Sequence, residues 1–203
     1  MTDRDGRSDA VRAELLGGGV EPIVETLEEL RVLRIATEAA QAFREMGAVR
    51  RAVAIFGSAQ ELTADKWGAL GREIARGLAE ADFAVITGGG PGLMAATNEG
   101  ALQAGGTSVG LTIHLPDDEP PNEFLTLTVP FHYFFLRKLV FVKYACAFIL
   151  LPGGYGTLDE LFEALNLLRT HRLDPFPVIL VGSEYWAGLV AWLRSTAVAA
   201  GTL

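Results

Sequence analysis

The sequence predicts an α/β protein: a Rossmann-like, doubly wound parallel sheet of about six strands, with helices on both faces. Three observations support this fold. Short apolar runs recur along the chain, helical patterns lie between them, and glycine-rich turns follow several of the runs. Strands that are apolar on both faces are typical of a parallel sheet covered by helices on each side.

The predicted strands are the continuous apolar runs, at residues 52–56, 83–87, 107–113, 124–129, 146–151 and 177–182. The predicted helices follow them, at 64–81, after the glycine turn at 88–92, and at 131–144, 157–171 and 184–198. Ligands of such sheets bind beyond the carboxyl ends of the strands. We therefore expect the site among the loops 57–60, 88–92, 114–122 and 152–156.

The chain divides by pattern into an N-terminal extension, residues 1–50, and a nucleotide-binding catalytic domain, residues 51–203. Residues 1 to about 20 show no regular pattern and are expected to be loosely ordered. Residues 22–46 carry apolar side chains near helical spacing, with Glu and Arg between them. This predicts a long amphipathic helix that packs on the domain or on a neighbour.

Composition limits the class of protein. Half of the 203 residues are hydrophobic and 21% are charged, which is typical of a globular chain. A net charge of −8 without a Lys/Arg cluster argues against a nucleic-acid polymer as partner, although backbone amides can still bind a small anion. A single cysteine, a polar N-terminus and no apolar run of membrane-spanning length predict a cytoplasmic protein without a membrane partner.

The first glycine-rich segment, "TGGGPGLMAA", contains the loose dinucleotide-binding pattern G-x-G-x-x-A after a strand and before a helix. Glycine lets the backbone approach a phosphate, and a helix N-terminus offers free N–H groups. We assign a phosphate- or nucleotide-binding role to Gly89, Gly90, Gly92 and Met94, the alternative being a tight strand-to-helix turn. The acidic residue of an NAD site, expected about 20 residues later, would have to come from the loop at 117–118, which argues against NAD.

The second glycine-rich segment, "PGGYGT", follows the strand at 146–151. Two such turns at strand ends can face each other across one crevice, which favours a nucleotide more strongly than either turn alone. The expected contacts are Gly57 and Ser58 of the first loop, together with Gly153, Gly154, Tyr155, Gly156 and Thr157. There is no Walker lysine pattern, so ATP hydrolysis of the P-loop kind is not expected.

Thr157 and Glu160 have two interpretations. T-x-x-E at a helix start is the pattern of a capping box, in which Thr157 caps the helix and Glu160 reaches back to the cap. A carboxylate held there would also face the mouth of the crevice, where it is available for chemistry. The two roles do not exclude each other.

Arg137 and Lys138 interrupt an otherwise apolar helix. They either extend to solvent at its edge or reach an anionic ligand or the Glu160 carboxylate. Other candidates for chemistry are weaker: the histidines His114, His132 and His171 lack metal-ligand spacing, and Cys146 opens a core strand. No metal site is predicted.

Taken together, "GGGPGLMAATNEGA", Arg137-Lys138 and "PGGYGTLDE" resemble the LONELY GUY (LOG) family of cytokinin riboside 5′-monophosphate phosphoribohydrolases. The resemblance runs from about residue 52 to the end. The motif P-G-G-x-G-T-x-x-E is matched at every position from Pro152 to Glu160, and the N-terminal helix is similar to that of the larger bacterial, type II members. Proteins with this pattern are often labelled lysine decarboxylases, but no pyridoxal-phosphate lysine site can be identified here.

The resemblance implies hydrolysis of the N-glycosidic bond of an adenosine 5′-monophosphate, with or without an N6 substituent, to the free base and ribose 5-phosphate. It implies that Glu160 and Arg137 are catalytic, that Lys138 and the glycine loops bind substrate, and that neither metal nor cofactor is needed. It also implies a homodimer or higher homo-oligomer. The alternative is a nucleotide- or molybdenum-cofactor-binding carrier without turnover, since such carriers resemble the same fold.

Overall fold

The computed structural model describes residues 21–114, 120–172 and 174–203, with side chains from residue 27 onward. The predictions for residues 1–20 and for the acidic positions 117–118 lie outside these ranges. The chain separates into two compact units between Gln41 and Ala42. The first helix, α1, runs from Glu21 to Glu45 and crosses this boundary, and a short 3-10 turn, Met46–Ala48, follows it.

The second unit contains a single six-stranded sheet. Its strands are β1 (Ala52–Phe56), β2 (Ala84–Thr87), β3 (Ser108–Ile113), β4 (Leu127–Phe131), β5 (Ala145–Leu150) and β6 (Val178–Leu180). They lie in the order β4-β3-β2-β1-β5-β6, and every neighbouring pair is parallel. The predicted doubly wound parallel sheet is therefore confirmed.

In the described part of the chain, helices follow every strand except β3 and supply crossovers of the kind that parallel pairing needs. They are α2 (Glu61–Glu80), α3 (Leu93–Gln103), α4 (Phe134–Tyr144), α5 (Tyr155–Arg169) and α6 (Ser183–Trp192), the last followed by a π-helical turn at Leu193–Val198. No helix in the described part of the chain is both long enough and apolar enough to cross a membrane.

The core explains why the strand sequences are so apolar. All residues of β1 and β2 are buried, and Val53, Ile55 and Val85 form one cluster with Leu93 of α3 and the apolar end of β5. Removing a buried side chain of this size typically costs about 2–5 kcal/mol. The central strands thus form a rigid base for the loops that follow them.

The strand order fixes the position of the crevice. After β1 the chain proceeds through β2, β3 and β4 on one side, and then returns to place β5 on the other side of β1. The connections after β1 and after β5 therefore diverge to opposite faces, and a crevice opens between them at the carboxyl ends of the strands.

Candidate active site

A cleft of about 350 Å³ lies at this switch point. Eight predicted site residues line it: Gly57, Ser58, Met94, Arg137, Gly154, Gly156, Thr157 and Glu160. The lining also includes eight residues without a predicted role: Ile55, Phe56, Ala59, Gln60, Gly88, Phe134, Phe141 and Asp159. Six predicted residues lie outside the lining: Gly89, Gly90, Gly92, Lys138, Gly153 and Tyr155.

Ser58 joins the three loops at the base of the cleft. Its N–H donates to the Pro152 carbonyl (3.1 Å), and its own carbonyl accepts from Leu93 N–H at the start of α3 (2.9 Å). Its hydroxyl accepts from Gln60 N–H (3.1 Å). The loops after β1, β2 and β5 are thereby held in one fixed arrangement around the cleft.

Gly92 permits the close approach of two of these loops. Its φ of +67° lies in the left-handed region, and a Cβ there would come within 2.6 Å of the Ser58 carbonyl oxygen. Any other residue would push α3 away from the first loop. Gly92 thus supports the site from outside the cleft.

A buried polar network holds the glycine turn after β2. The Thr87 hydroxyl donates to Asn98 Oδ1 (2.6 Å) and accepts from Gly89 N–H (3.0 Å). Asn122 donates through Nδ2 to the Gly90 carbonyl (2.9 Å) and to Asn98 Oδ1 (3.1 Å). This network could not be predicted from the sequence, because its members are far apart in the chain and no local pattern joins them.

The start of α5 differs from the predicted capping box. The helix begins at Tyr155, with Gly154 at the N-cap position and no side-chain cap, so Thr157 lies in the first turn instead of capping it. Thr157 also approaches Gly153 closely, since a Cβ on Gly153 would overlap the threonine Oγ1 and Cβ atoms. This prediction was wrong, and Glu160 is not part of a cap.

The uncapped start leaves backbone donors available. Within the described ranges, no backbone or side-chain acceptor is recorded for the N–H groups of Gly154, Tyr155, Gly156 and Thr157. Gly154, Gly156 and Thr157 line the cleft. Free N–H groups and the partial positive charge of a helix start together favour an anion.

Glu160 lies one turn into α5 and is the buried carboxylate of the cleft. It is 9% exposed, and its Oε2 atom is buried without a hydrogen-bond partner. Burial raises the pKa of Glu160 to about 7, and the neighbouring Glu163 and Asp159 carboxylates act in the same direction, while Lys138 and Arg137 oppose them. A carboxyl group with a raised pKa in a cleft is a candidate for chemistry.

Arg137 reaches the cleft from α4. Its Nε atom donates to the Leu111 carbonyl (2.7 Å), and a terminal nitrogen donates to the Gly88 carbonyl (3.3 Å). The guanidinium lies 5.6 Å from the Phe141 ring centre. These contacts fix its plane at the cleft wall, where its charge faces the same space as Glu160.

Lys138 follows Arg137 in the chain but points elsewhere. Its Nζ forms ion pairs with Asp159 (2.8 Å) and Glu163 (2.9 Å), on either side of Glu160 in the α5 sequence. Burial lowers the pKa of Lys138, but these two carboxylates and the nearby Glu160 carboxylate together outweigh that effect, so the pKa lies above its ordinary value. Lys138 therefore joins α4 to α5 beside Glu160.

We expect Lys138→Met to raise the pKa of Glu160 further, because the largest charge that opposes its protonation is lost. In a plot of activity against pH, the pH range over which activity rises (the ascending limb) should then shift to higher values. Lys66→Met is the matched control: it breaks an exposed ion pair with Glu184 (2.6 Å) and should leave the limb in place. An unmoved limb in Lys138→Met would contradict this electrostatic role.

Comparison with known proteins places the chain in a family. A family model described as "Possible lysine decarboxylase" matches residues 94–203. A protein of Rhodococcoides fascians named cytokinin riboside 5′-monophosphate phosphoribohydrolase is 30% identical over 73% of this chain and 76% of its own length. A Mycobacterium tuberculosis protein of the same name is 33% identical over 62% of this chain and 68% of its own.

Solved structures agree on the fold. A structural-genomics target is 28% identical, with a TM-score of 0.52, over 58% of this chain and 69% of its own. A molybdenum cofactor carrier protein of Chlamydomonas reinhardtii, 22% identical, has a TM-score of 0.54 over 70% of this chain and 85% of its own. At that identity the carrier shows the fold alone. From the family match and the length and identity of the shared segments, the chain belongs to the LONELY GUY family.

Proposed function

We propose that this protein is a nucleoside 5′-monophosphate phosphoribohydrolase, which cleaves the N-glycosidic bond of AMP or of an N6-modified AMP. The observation that carries the proposal is the buried Glu160 carboxyl group, with an unpartnered oxygen, one turn beyond the free amides that start α5. A phosphate at those amides would place a ribose beside Glu160. The names of the relatives in Rhodococcoides fascians and Mycobacterium tuberculosis support the same reaction class.

The chemistry follows from the two charges in the cleft. As the bond from C1′ to the base nitrogen breaks, its electron pair leaves with the base and the ribose becomes oxocarbenium-like. The ionised form of Glu160 stabilises that positive charge and orients a water molecule toward C1′. The oxygen of this water bonds to C1′ as a hydroxyl group, and the proton that the water loses matches the proton that the departing base gains. The products are ribose 5-phosphate and the free base.

Arg137 acts on the leaving group. A guanidinium remains protonated in proteins, so it donates hydrogen bonds without transferring its proton. From its place beside Gly88 and Phe141 it can stabilise the electron-rich base as it departs. Phe134, Phe141 and Met94 give this part of the cleft an apolar wall, which suits a purine or a purine with an apolar N6 substituent.

The decarboxylase description attached to the family model is not favoured by the lysines of this chain. A pyridoxal-phosphate enzyme needs a lysine amine that is free to form a Schiff base. Lys138 has a raised pKa between two carboxylates, Lys66 pairs with Glu184 at the surface, and Lys143 lies 5.3 Å from the Phe43 ring. None of the three lines the cleft.

Incubation of the protein with AMP, followed by chromatography for adenine and ribose 5-phosphate, tests the proposal. A panel with N6-modified AMP would then rank the bases. Release of both products supports the hydrolase. Tight nucleotide binding with no product over many hours would instead favour the carrier alternative.

We further propose that the protein is a homo-oligomer. Large apolar side chains are exposed on two helices that flank the cleft: Phe134, Phe135 and Leu139 on α4, and Phe162 and Leu165 on α5. Monomeric soluble proteins rarely expose large apolar patches, and a second copy would bury these side chains on the two helices that carry Arg137 and Glu160.

Light scattering at micromolar concentration should therefore give at least the mass of a dimer. Phe135→Glu should shift the mass toward that of the monomer, because it places charges in an apolar interface. Leu62→Glu, at an exposed leucine of α2, is the control and should leave the mass unchanged. A monomeric mass for the unaltered protein would refute this assembly.

A further inference from the structure

Tyr185 of α6 contacts the loop that begins the proposed phosphate site. Its hydroxyl donates to the Gly153 carbonyl at 2.6 Å, across 32 residues of sequence. The ring packs edge-on against Trp186, with centroids 4.9 Å apart, and the Trp186 indole donates to the Val181 carbonyl (3.0 Å). The phenol is thus held in place by its own helix and by the end of β6.

This hydrogen bond determines the direction of a second group. The Gly153 carbonyl and the Gly154 N–H belong to the same trans peptide, in which they point in opposite directions. When the carbonyl is held toward Tyr185, the Gly154 N–H points away from α6. Gly154 lines the cleft, and its N–H has no recorded acceptor in the part of the chain that the structure describes.

The preceding peptide, between Pro152 and Gly153, is held by a main-chain hydrogen bond and not by a side chain. The Pro152 carbonyl accepts from Ser58 N–H, which is a main-chain contact at the end of β1. A peptide between two glycines has few steric restraints on its rotation. The hydrogen bond from the Tyr185 hydroxyl to the Gly153 carbonyl opposes such rotation. Because it comes from a side chain, mutation can remove it.

We propose that Tyr185 is a positioning residue for substrate: it holds the Gly153–Gly154 peptide so that the Gly154 N–H is directed at the 5′-phosphate. This inference rests on the proposed function, since it names a residue that orients the anion site of that same cleft. The buried, unpartnered Glu160 oxygen is the independent sign that the cleft receives a ligand. Tyr185 itself does not line the cleft and takes no part in bond cleavage.

Tyr185→Phe tests this role, because it keeps the ring against Trp186 and removes only the hydroxyl. KM for AMP should rise about three- to tenfold, the scale of one hydrogen bond, while kcat changes less than about twofold. Activity on adenosine, which has no phosphate, should be the same in the variant and the unaltered protein. A general structural defect would lower activity on both substrates alike.

Tyr144→Phe is the matched control. It also removes a tyrosine hydroxyl that donates to a main-chain carbonyl, that of Phe43 (3.3 Å), but this bond does not touch the phosphate loop. KM for AMP should not change in this variant. An unchanged KM in Tyr185→Phe, or an equal loss on AMP and adenosine, would overturn the proposal.

Calorimetric titration with ribose 5-phosphate separates this inference from the proposed reaction. The affinity of Tyr185→Phe should be about three- to tenfold weaker than that of the unaltered protein and of Tyr144→Phe. If AMP yields no adenine but this difference is present, the reaction assignment fails and the positioning role stands. Equal affinities, or no binding by the unaltered protein, would refute the positioning role.

Discussion

Replacement of Glu160 by glutamine is expected to lower kcat on AMP by about 10²–10⁴-fold, the usual effect of losing a catalytic group. Glutamine has nearly the same size and shape, so it should fill the same space on α5. What it lacks is the negative charge that stabilises the oxocarbenium-like ribose and orients the water. KM should change much less than kcat, because the phosphate contacts remain.

The same substitution should make the protein more stable above pH 7. The pKa of Glu160 is raised from an ordinary 4.5 to about 7, chiefly by burial, so the folded state favours the protonated form. The stability contributed by that form is fully present below pH 4.5 and is lost as the pH rises through 7. Glutamine carries no charge at any pH and avoids this loss, which we expect to be about 1–3 kcal/mol.

Melting curves and turnover together check this prediction. At pH 8, Glu160→Gln should melt at a higher temperature than the unaltered protein, and the two should converge near pH 4. In the unaltered protein, kcat/KM should rise with pH to a plateau above about 7, because the ionised carboxylate is the active form. Glu184→Gln, the same change at an exposed carboxylate paired with Lys66, should alter neither property.

Full turnover by Glu160→Gln would remove Glu160 from the mechanism. Lost turnover with a lower melting temperature at pH 8 would contradict the burial argument instead, because it would show that the ionised carboxylate stabilises the fold. The expected combination is a loss of activity with a gain of stability. It is typical of a group whose strained environment serves chemistry.

The sheet and the general position of the site could be predicted because their signals are local. An apolar run such as "AVAIF" reads as a buried strand wherever it occurs, and a glycine turn after it marks a carboxyl end. The bounds of β1 were predicted correctly, whereas α2 begins three residues earlier than expected, at Glu61. The residues of the preceding loop decide where a helix begins, and the spacing of apolar residues along the helix does not show this.

Side-chain direction was harder to predict. Arg137 and Lys138 are adjacent in sequence, which suggested that both reach the ligand. Successive residues on an α-helix point about 100° apart, so only one of them can face a narrow cleft. Arg137 occupies that direction, and Lys138 instead meets the Asp159 and Glu163 carboxylates of α5.

Contacts between distant parts of the chain gave no sequence signal. Tyr185 and Gly153 are separated by 32 residues, and Asn122 lies 24 residues from Asn98. Nothing in the local pattern around Tyr185 distinguishes it from an ordinary helix residue. Only the three-dimensional arrangement shows that these side chains hold the two glycine turns.

Adenosine should be a far poorer substrate than AMP, by at least about 10²-fold in kcat/KM. The start of α5 presents N–H groups at Gly154, Gly156 and Thr157 to the cleft, with no side-chain cap to occupy them. A hydrogen bond to a charged group contributes about 1.5–3 kcal/mol, so loss of two such bonds already accounts for a hundredfold difference. The partial positive charge of the helix start adds to this preference.

The division of this loss between kcat and KM carries further information. If the phosphate only holds the substrate, adenosine at saturation should approach the kcat of AMP. If binding of the phosphate is used to place C1′ beside Glu160, kcat should fall as well, because energy from the remote group then lowers the barrier. These amides and Glu160 lie together at the start of one helix, which is a rigid connection, so we expect a loss in both constants. Equal kcat/KM values for AMP and adenosine would refute a phosphate site at the start of α5.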